Sequence, residues 1–378
     1  MSLIDQITYK TKYFKTVDDL VEKISSKTVV PYQLEVQPGR IKGNKICWMP
    51  CSYCYGGSSK NDGQRLDPER YLEIIDQTNN GPNGNIKKII YAGYATDPLN
   101  YEHIDGLIEK SINFGQVIGI HSKLIKVSDK LINLLSSEKI VETSYLTVSV
   151  DGGDDKSYNA AHSLTPKVKV YNRVIDNIKK ITSISKTNKV KLDLSANYLV
   201  TKVNCAKGEI FSGIENLINA GVDSIRFSFP QLPRGMDSPE GTIIPNRDEV
   251  KRIYKDIKPI IDQFKDSKTK VVLIDYDADK EINEPRTLPC FSRFIYPAIS
   301  YDGYLSNCSQ SAASHFQDMA IGNLQTTDFW DAYYDYDEKD IYNFMKEQFK
   351  KMVKNDCRCD RKEHTVNQIF KEQLSSIF

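Results

Sequence analysis

The chain carries almost no net charge: among 378 residues, 51 Lys and Arg face 50 Asp and Glu, for a formal balance of +1. No global basic field follows from that balance, so neither nucleic acid nor an anionic membrane is an expected partner. Long apolar runs are missing too, with nothing near the ~18 apolar residues that a membrane-spanning helix needs. The first residues, Met1 to Lys15, are polar and hold no apolar segment of the secretory type. Together these absences give a cytoplasmic expectation. Histidine is sparse at 5, and His121, His162 and His315 fall at no metal-binding spacing; His162 reads as structural, with a substrate contact as the alternative. Cysteine is scarce as well, at 8, but it is not scattered. In a reducing compartment, clustered cysteines are metal ligands or catalytic groups more often than disulfides.

Three thiols are grouped in Cys47-Trp-Met-Pro-Cys51-Ser-Tyr-Cys54. A four-iron cluster offers four corners and takes thiolate at each. Three cysteines therefore leave one iron open to a small chelating molecule. Structural zinc is a poorer fit, because it wants four ligands brought as two close pairs, and no histidine precedes His103.

A strand-helix rhythm surrounds this loop. Strands are expected at 32–37, 88–91, 116–120, 145–150, 191–200 and 223–228, with a further one at 270–275, and helices at 66–78, 103–113, 131–138, 174–184, 209–220 and 248–264. Asp67-Pro68 marks a helix start, since proline fits the first helical turn. Strands joined through helices pair in parallel. The expected fold class is α/β, a partial (β/α)6 TIM-type barrel followed by a small α+β iron-sulfur domain. The boundaries read as a leading segment over 1–30, the barrel over 31–285 and the second domain over 286–378. Lying just after the first strand, the cysteine loop falls at the C-terminal mouth, where α/β folds build their sites.

The three-then-two spacing, with Tyr53 ahead of the third cysteine, resembles the signature of the radical SAM superfamily. The resemblance implies a [4Fe-4S] cluster on Cys47, Cys51 and Cys54 whose open iron binds S-adenosyl-L-methionine. It also implies a partial barrel, a reductant such as flavodoxin or ferredoxin, and a 5′-deoxyadenosyl radical that abstracts hydrogen from a C–H bond. Strand two runs into Ala92-Gly93-Tyr94-Ala95-Thr96-Asp97-Pro98. This stretch is similar to the glycine-rich motif that holds the methionine amino group, although Tyr94 and Ala95 stand where paired glycines are usual; otherwise it is a turn. Gly93, Thr96 and Asp97 are the candidates there, with Tyr53 beside them as a cofactor contact. Ser149 and Asp151 end strand four, where an acid is either a ribose acceptor or a turn cap. On strand five Asp193, Ser195 and Asn197 share one face, which points inward if Leu192, Leu194 and Ala196 pack on helices. Ser195 and Asn197 then join the cofactor-binding set, and Arg226 and Ser228 on strand six follow the same logic. Arg234 lies in a loop at the mouth, as a substrate contact or a solvated side chain.

Cys290, Gly303 and Cys308, followed by Cys357-Arg-Cys359, resemble the twitch and SPASM domains in which a glycine turn helps to hold an auxiliary [4Fe-4S] cluster. The resemblance makes Cys290, Cys308, Cys357 and Cys359 its ligands; a zinc knuckle is the other reading. Cys205 is left over, either as a loop residue or as a hydrogen-atom donor to a substrate radical. Phe329, Trp330, Tyr333 and Tyr334 fall at helical spacing and read as core. Peptide-modifying relatives often carry an N-terminal leader-binding domain, and the thirty residues ahead of strand one are too few for it. The expected substrate is accordingly a small polar natural-product intermediate that is oxidised or epimerised. Maturation or epimerisation of a ribosomally made peptide is the alternative, and a non-catalytic zinc or iron-sulfur scaffold is the alternative of another class.

Overall fold

The computed structural model of the chain describes residues 17–43, 45–51, 53, 54, 64–93, 96–230, 242–276, 286, 289–312, 314–337, 341–357, 359, 363, 364 and 366–368. Tyr94, Ala95, Arg234 and Leu288 lie outside the described residues, as does the side chain of His315. Two compact units are formed, one from 39–58 and 95–279, the other from 1–38, 59–94 and 280–378.

The first unit is a run of parallel strands with helices between them. In chain order it contains α3 (Ile104–Asn113), β3 (Val117–Ser122), α4 (Asp129–Leu135), β4 (Tyr145–Ser149), α5 (Asp155–Ala161), α6 (Val170–Thr187), β5 (Asp193–Leu199), α7 (Lys207–Ala220), β6 (Ser224–Ser228), α8 (Arg247–Asp262) and β7 (Lys270–Leu273). The strands pair in sequence order, with Thr147 opposite Ser195, Ser149 opposite Asn197 and Asn197 opposite Arg226. Period-two alternation divides the two faces. Leu194, Ala196, Tyr198, Ile225 and Phe227 are buried, while Ser195, Asn197, Ser224 and Ser228 are only partly covered. On the other partners of that apolar layer, Val174, Ile178, Ile181, Ile210, Ile214 and Leu217 supply buried helix faces.

The second unit contains α1 (Val17–Ser25), β1 (Leu34–Val36), α2 (Pro68–Asn79), β2 (Lys88–Tyr91), β8 (Ala298–Ile299), β9 (Tyr304–Ser306), β10 (Gly322–Asn323), α9 (Phe329–Tyr333) and α10 (Ile341–Lys354). β1 pairs in parallel with β2 and, on its other edge, with β8; β8–β9 and β9–β10 are antiparallel. The C-terminal segment shares its core with the N-terminal helices. Arg70 on α2 donates to the carbonyls of Leu324 and Thr327, Trp330 donates to the Gln77 carbonyl at 2.6 Å, and Tyr336 donates to the Ile24 carbonyl at 2.8 Å. Phe329, Trp330 and Tyr333 are buried, which is the core role expected for them. The parallel strands and intervening helices are the mixed α/β architecture of a partial barrel, as expected.

Within the strand-helix run over 32–275, element ends agree with the sequence expectation to within a few residues, and α5 is the helix added there. It begins with a capping box in which Asp154 accepts from the Ser157 amide and the Ser157 hydroxyl answers the Asp154 amide. Ahead of it, Gly152 and Gly153 turn the chain out of β4 in a space with no room for a side chain. A Cβ on Gly152 would stand 2.5 Å from the Tyr158 nitrogen, and one on Gly153 would stand 2.1 Å from the Glu209 carbonyl oxygen. Gly106, inside α3, has nothing within 4 Å of such an atom. Gly153→Ala is expected to lower unfolding free energy by about 1–3 kcal/mol through overpacking, whereas Gly106→Ala should raise it by roughly 0.5–1 kcal/mol through helix propensity. Urea denaturation of the two variants checks the sign of each change.

Candidate active site

The cysteine loop, in the first unit, is pinned at its start by one carboxylate. Glu102 accepts from the Ile41 amide at 2.9 Å and the Lys42 amide at 3.1 Å. Partial burial raises its pKa, but those amides, its own amide and the charge of Arg40 bring it below the usual carboxylate value. Asn100 fixes the next residues: its side-chain oxygen accepts from the Trp48 indole at 2.5 Å, and its amide lies 3.7 Å from the Cys47 sulfur.

Around the thiols stands a polar group of side chains: Tyr53 of the loop itself, Lys123 just after β3, Asp151 just after β4 and His162 at the C-terminal end of α5. The Tyr53 hydroxyl donates to Asp151 Oδ2 at 2.5 Å and lies 3.0 Å from His162 Nδ1. His162 Nδ1 is also 3.2 Å from the Cys51 sulfur. Lys123 donates to the Tyr53 hydroxyl at 3.3 Å and stands 3.7 Å from Asp151 Oδ2. Burial and the Lys123 charge press the His162 pKa well below its ordinary value, so the imidazole is neutral. Since Tyr53 spends its proton on Asp151, the network assigns the single imidazole proton to Nδ1, facing two acceptors once Cys51 is a thiolate. His162 Nε2 is 3.3 Å from Asp151 Oδ2 but is not aligned for a hydrogen bond.

The electrostatics of the thiols are set by burial and by one cation. Burial raises the Cys51 pKa to about 11, with Cys54, Asp151 and Cys47 adding to the rise and Lys123 opposing it. Cys47 is raised too, by burial first; the Met49 amide pulls it down, Asp97 and Cys54 push it up, and Lys123 again opposes them. Burial lowers the Lys123 pKa, yet the nearby Cys51, Asp151, Asp97 and Cys47 leave it net raised and the ammonium charged.

Asp151 is 2% exposed and reaches well beyond Tyr53. Its Oδ1 accepts from the Leu199 amide at 2.7 Å, and its carbonyl accepts from Asn204 at 3.0 Å. Asn204 is also saturated by the Thr201 amide and hydroxyl and by the Leu199 carbonyl, so the ends of β4 and β5 are held as one piece. Asp97 is likewise occupied. Its Oδ1 accepts from the Leu99 amide at 3.1 Å and the Ser122 hydroxyl at 2.7 Å, and its Oδ2 from the Lys123 amide at 3.0 Å. Among the described residues, neither the buried hydroxyl of its neighbour Thr96 nor that of Tyr158 has a hydrogen-bond partner. Tyr158 lies within electrostatic reach of Cys51, Asp97 and Asp151.

Ser149, Ser195 and Asn197 lie on the polar face of β4 and β5, where the Ser195 and Thr147 hydroxyls are 3.0 Å apart. Gly93 follows β2 and belongs to the second unit. Cys205 is not among the residues gathered around the three cysteines. Its thiol is 3.6 Å from the Lys202 carbonyl, and burial, then Glu209 and Asp256 against Arg252, hold its pKa net raised. Sequence reasoning passed over Lys123, the residue that most changes the electrostatics of the site. A signal existed: Lys123 follows β3 and carries the parity of Gly119 and His121, the face opposite the buried Ile118, Ile120 and Ser122.

In the second unit Cys290, Cys308, Cys357 and Cys359 are gathered. Cys290 and Cys357 pack with Met319, Met352 and Phe316. Gly303, with φ of 87°, turns β8 into β9 ahead of Cys308. Burial, followed by Glu363, Cys290 and Cys357, drives the Cys308 pKa well up. Cys357 is pushed up to about 11 by burial against Arg286. Among the described residues of the chain, no three Cys, His, Asp or Glu side chains close on a point that would hold one metal ion. No described helix is long and apolar enough to cross a membrane.

Replacing Tyr53 by Phe leaves Asp151 Oδ2 without its closest donor in a buried place, and a cost of about 1–3 kcal/mol is expected. Denaturant unfolding compared with wild type measures it, and an unchanged midpoint would mean that Lys123 alone satisfies the carboxylate.

Residues 41–193 match the family model described as the Radical SAM superfamily. No curated protein matches the chain. Among solved structures, SuiB of Streptococcus suis bound to S-adenosylmethionine is similar with a TM-score of 0.56 at 15% identity, over 82% of this chain and 68% of that one. The same protein bound to its precursor peptide SuiA gives 0.58 at 15% identity, over 85% and 69%. Native anSMEcpe with bound AdoMet and Cp18Cys peptide gives 0.55 at 13% identity, over 91% and 96%. At such identities the likeness to these structures is one of fold, and the family match is confined to residues 41–193, from the cysteine loop to the start of β5.

Proposed function

We propose that the chain is a radical SAM enzyme in which Cys47, Cys51 and Cys54 hold a [4Fe-4S] cluster with S-adenosylmethionine on its open iron. One observation carries the reading: the thiols of Cys47 and Cys54, the Lys123 ammonium and the buried Tyr158 stand within electrostatic reach of Cys51 past the ends of the parallel strands, and among the described residues the hydroxyls of Tyr158 and of Thr96, the neighbour of Asp97, have no hydrogen-bond partner. Buried polar atoms without partners are uncommon because each costs stability, and a polar ligand at the site satisfies them. The donor set fits the cluster: three thiolates, with Lys123 offsetting part of their charge. When bound, a cluster reduced by an external one-electron donor would supply the electron that breaks the S–C5′ bond of S-adenosylmethionine, giving methionine and a 5′-deoxyadenosyl radical able to take a hydrogen atom from substrate.

The protein's own residues have distinct tasks in this reading. Lys123 offers an ammonium to the ligand's carboxylate, and Asp97 holds the Lys123 backbone in place through its amide. Asp151 and Tyr53 lock the loop to β4 and β5. Ser149, Ser195 and Asn197 keep a polar lining against which ligand or a polar substrate can bind. The apolar layer on the opposite face, with Ala196 and Tyr198 fully buried, closes that side to water. Cys290, Cys308, Cys357 and Cys359 would hold a second cluster, an electron acceptor for net oxidation of substrate. Burial first, and neighbouring thiols after it, raise the pKa values of Cys308, Cys357 and Cys359, an opposition to thiolate that a polynuclear iron centre would relieve. A peptide substrate is the second reading, favoured because SuiB and anSMEcpe, which share the fold, have each been solved with a peptide bound.

Reconstituted protein should contain about eight irons and form 5′-deoxyadenosine under reduction, while a Cys47/Cys51/Cys54 triple Ala variant should keep about four and form none. Uptake of zinc alone with no cleavage would leave a binding scaffold instead. Thr96→Val and Tyr158→Phe remove hydroxyls that have no protein partner, so folded stability should hold while calorimetry on the reconstituted protein shows S-adenosylmethionine binding weakened about three- to tenfold. Equal affinity in both variants would remove these hydroxyls from the site. In deuterated water an epimerase that uses Cys205 incorporates one solvent deuterium per product and loses it in Cys205→Ala; an oxidase gives product without it.

A further inference from the structure

We propose that Arg286, with Asn367, sets the reduction potential of the second cluster by donating hydrogen bonds to its cysteine sulfurs, holding it poised to accept an electron. The inference rests on the reading that Cys290, Cys308, Cys357 and Cys359 bind such a cluster, and it assigns two residues that no cysteine motif points to.

The geometry is specific on both sides. Arg286 Nη2 donates to the Cys359 sulfur at 2.9 Å, and its Nε reaches the Cys357 carbonyl at 3.5 Å. The guanidinium is thus held by two bonds in a fixed orientation, as a planar fork allows and a lysine would not. Asn367 is oriented from the other end: its Oδ1 accepts from the Phe291 amide at 3.0 Å, which leaves its Nδ2 facing the sulfurs of Cys359 at 3.5 Å and Cys290 at 3.8 Å. With the amide oxygen committed to a backbone N–H, the flipped orientation would put an oxygen against thiolates. Asn367 is buried at 7% exposure, and water therefore competes little for these bonds.

Charge leads to the same conclusion. The negative character of Cys290, Cys359, Cys357 and Cys308 acts on Arg286 and outweighs the burial that would otherwise weaken its charge. Glu363, 1% exposed, acts in the opposite sense on Cys308 and Cys359. One more electron adds one more negative charge to a set of four thiolates. A guanidinium in contact stabilises the reduced form more than the oxidised one and raises the potential, one of the means by which proteins tune iron-sulfur centres.

The test is a redox titration followed by electron paramagnetic resonance on the full chain, in the Cys47/Cys51/Cys54 triple Ala background, where only the second cluster can report. Arg286→Gln keeps a donor and loses the charge. Its reduced-to-oxidised ratio at a fixed potential should fall at least tenfold, a shift of 59 mV for a one-electron couple, and Arg286→Lys should recover most of that loss. Asn367→Asp keeps the acceptor for Phe291 while replacing donors with a negative charge, and should fall further. A midpoint unmoved by Arg286→Gln in a sample with about four irons overturns the inference, because a merely structural arginine would give that result. If Arg286→Gln cannot retain iron, Asn367→Asp decides on the same scale, an unmoved midpoint again overturning the proposal. Absence of any cluster signal with Arg286 and Asn367 intact instead removes the second-cluster reading itself, and iron content separates the two failures.

Discussion

One buried carboxylate holds the candidate site together. Asp151 sits where β4 ends and spends every available atom on a different segment: Oδ2 on Tyr53 in the cysteine loop, Oδ1 on the Leu199 amide of β5, and its carbonyl on Asn204 beyond β5. The loop from Cys47 to Cys54 has, among its described residues, no regular secondary structure of its own to fix it. Its position comes from such long-range bonds, with Asn100 acting on Cys47 and Trp48 and Glu102 acting on the residues ahead of them. Burial of an unpaired carboxylate would be costly, and Lys123 at 3.7 Å supplies the compensating charge. Removing either side of that pair leaves a buried charge uncompensated, so loop, strand ends and cation stand or fall together.

The glycines after Asp151 serve the same arrangement. Gly152 and Gly153 bring the chain against the first turns of α5 and α7 so closely that the carboxylate is delivered to the loop at a fixed depth. Alternation then does the rest: with Leu194, Ala196 and Tyr198 buried on one face of β5, Ser195 and Asn197 have only the opposite face to occupy. The polar lining follows from the packing of the apolar face, and a bound ligand need only use what packing already presents.

Much of this was legible in the chain. Strand positions followed from period-two patterns, and the three cysteines at 47, 51 and 54 identified the loop without help from any fold. What escaped was whatever depends on a partner distant in sequence. Asp97-Pro98 illustrates the difficulty: the same dipeptide that marks a helix start at Asp67-Pro68 was taken chiefly for its acid, yet its side chain caps the short 3-10 turn Pro98–Asn100 and reaches Ser122 and Lys123. Lys123 offered only its parity with Gly119 and His121 as a signal, because a lone lysine past a strand reads as solvated until the acids and thiols that surround it come together. The helix α5 was missed because Asp-Gly-Gly-Asp has turn composition, and only the Asp154–Ser157 capping box reveals that the turn is also a beginning.

The two cysteine sets share a physical problem and answer it with different cations. In each, burial raises thiol pKa values and so resists the thiolates that metal binding requires. Lys123 opposes that rise at Cys51 and Cys47, while Arg286 opposes it at Cys357 and Cys359. The difference in residue type is chemically apt. A lysine is a point charge on a flexible stem, and Lys123, held beside a tyrosine hydroxyl and an aspartate, can share its charge with the carboxylate of a ligand without leaving them. An arginine is a rigid fork, anchored here by a sulfur and a carbonyl, and it suits a site whose ligands are complete and whose remaining variable is the charge it carries. A point charge at one set and a planar fork at the other thus suit the proposed roles, binding of a ligand in the first and exchange of an electron in the second.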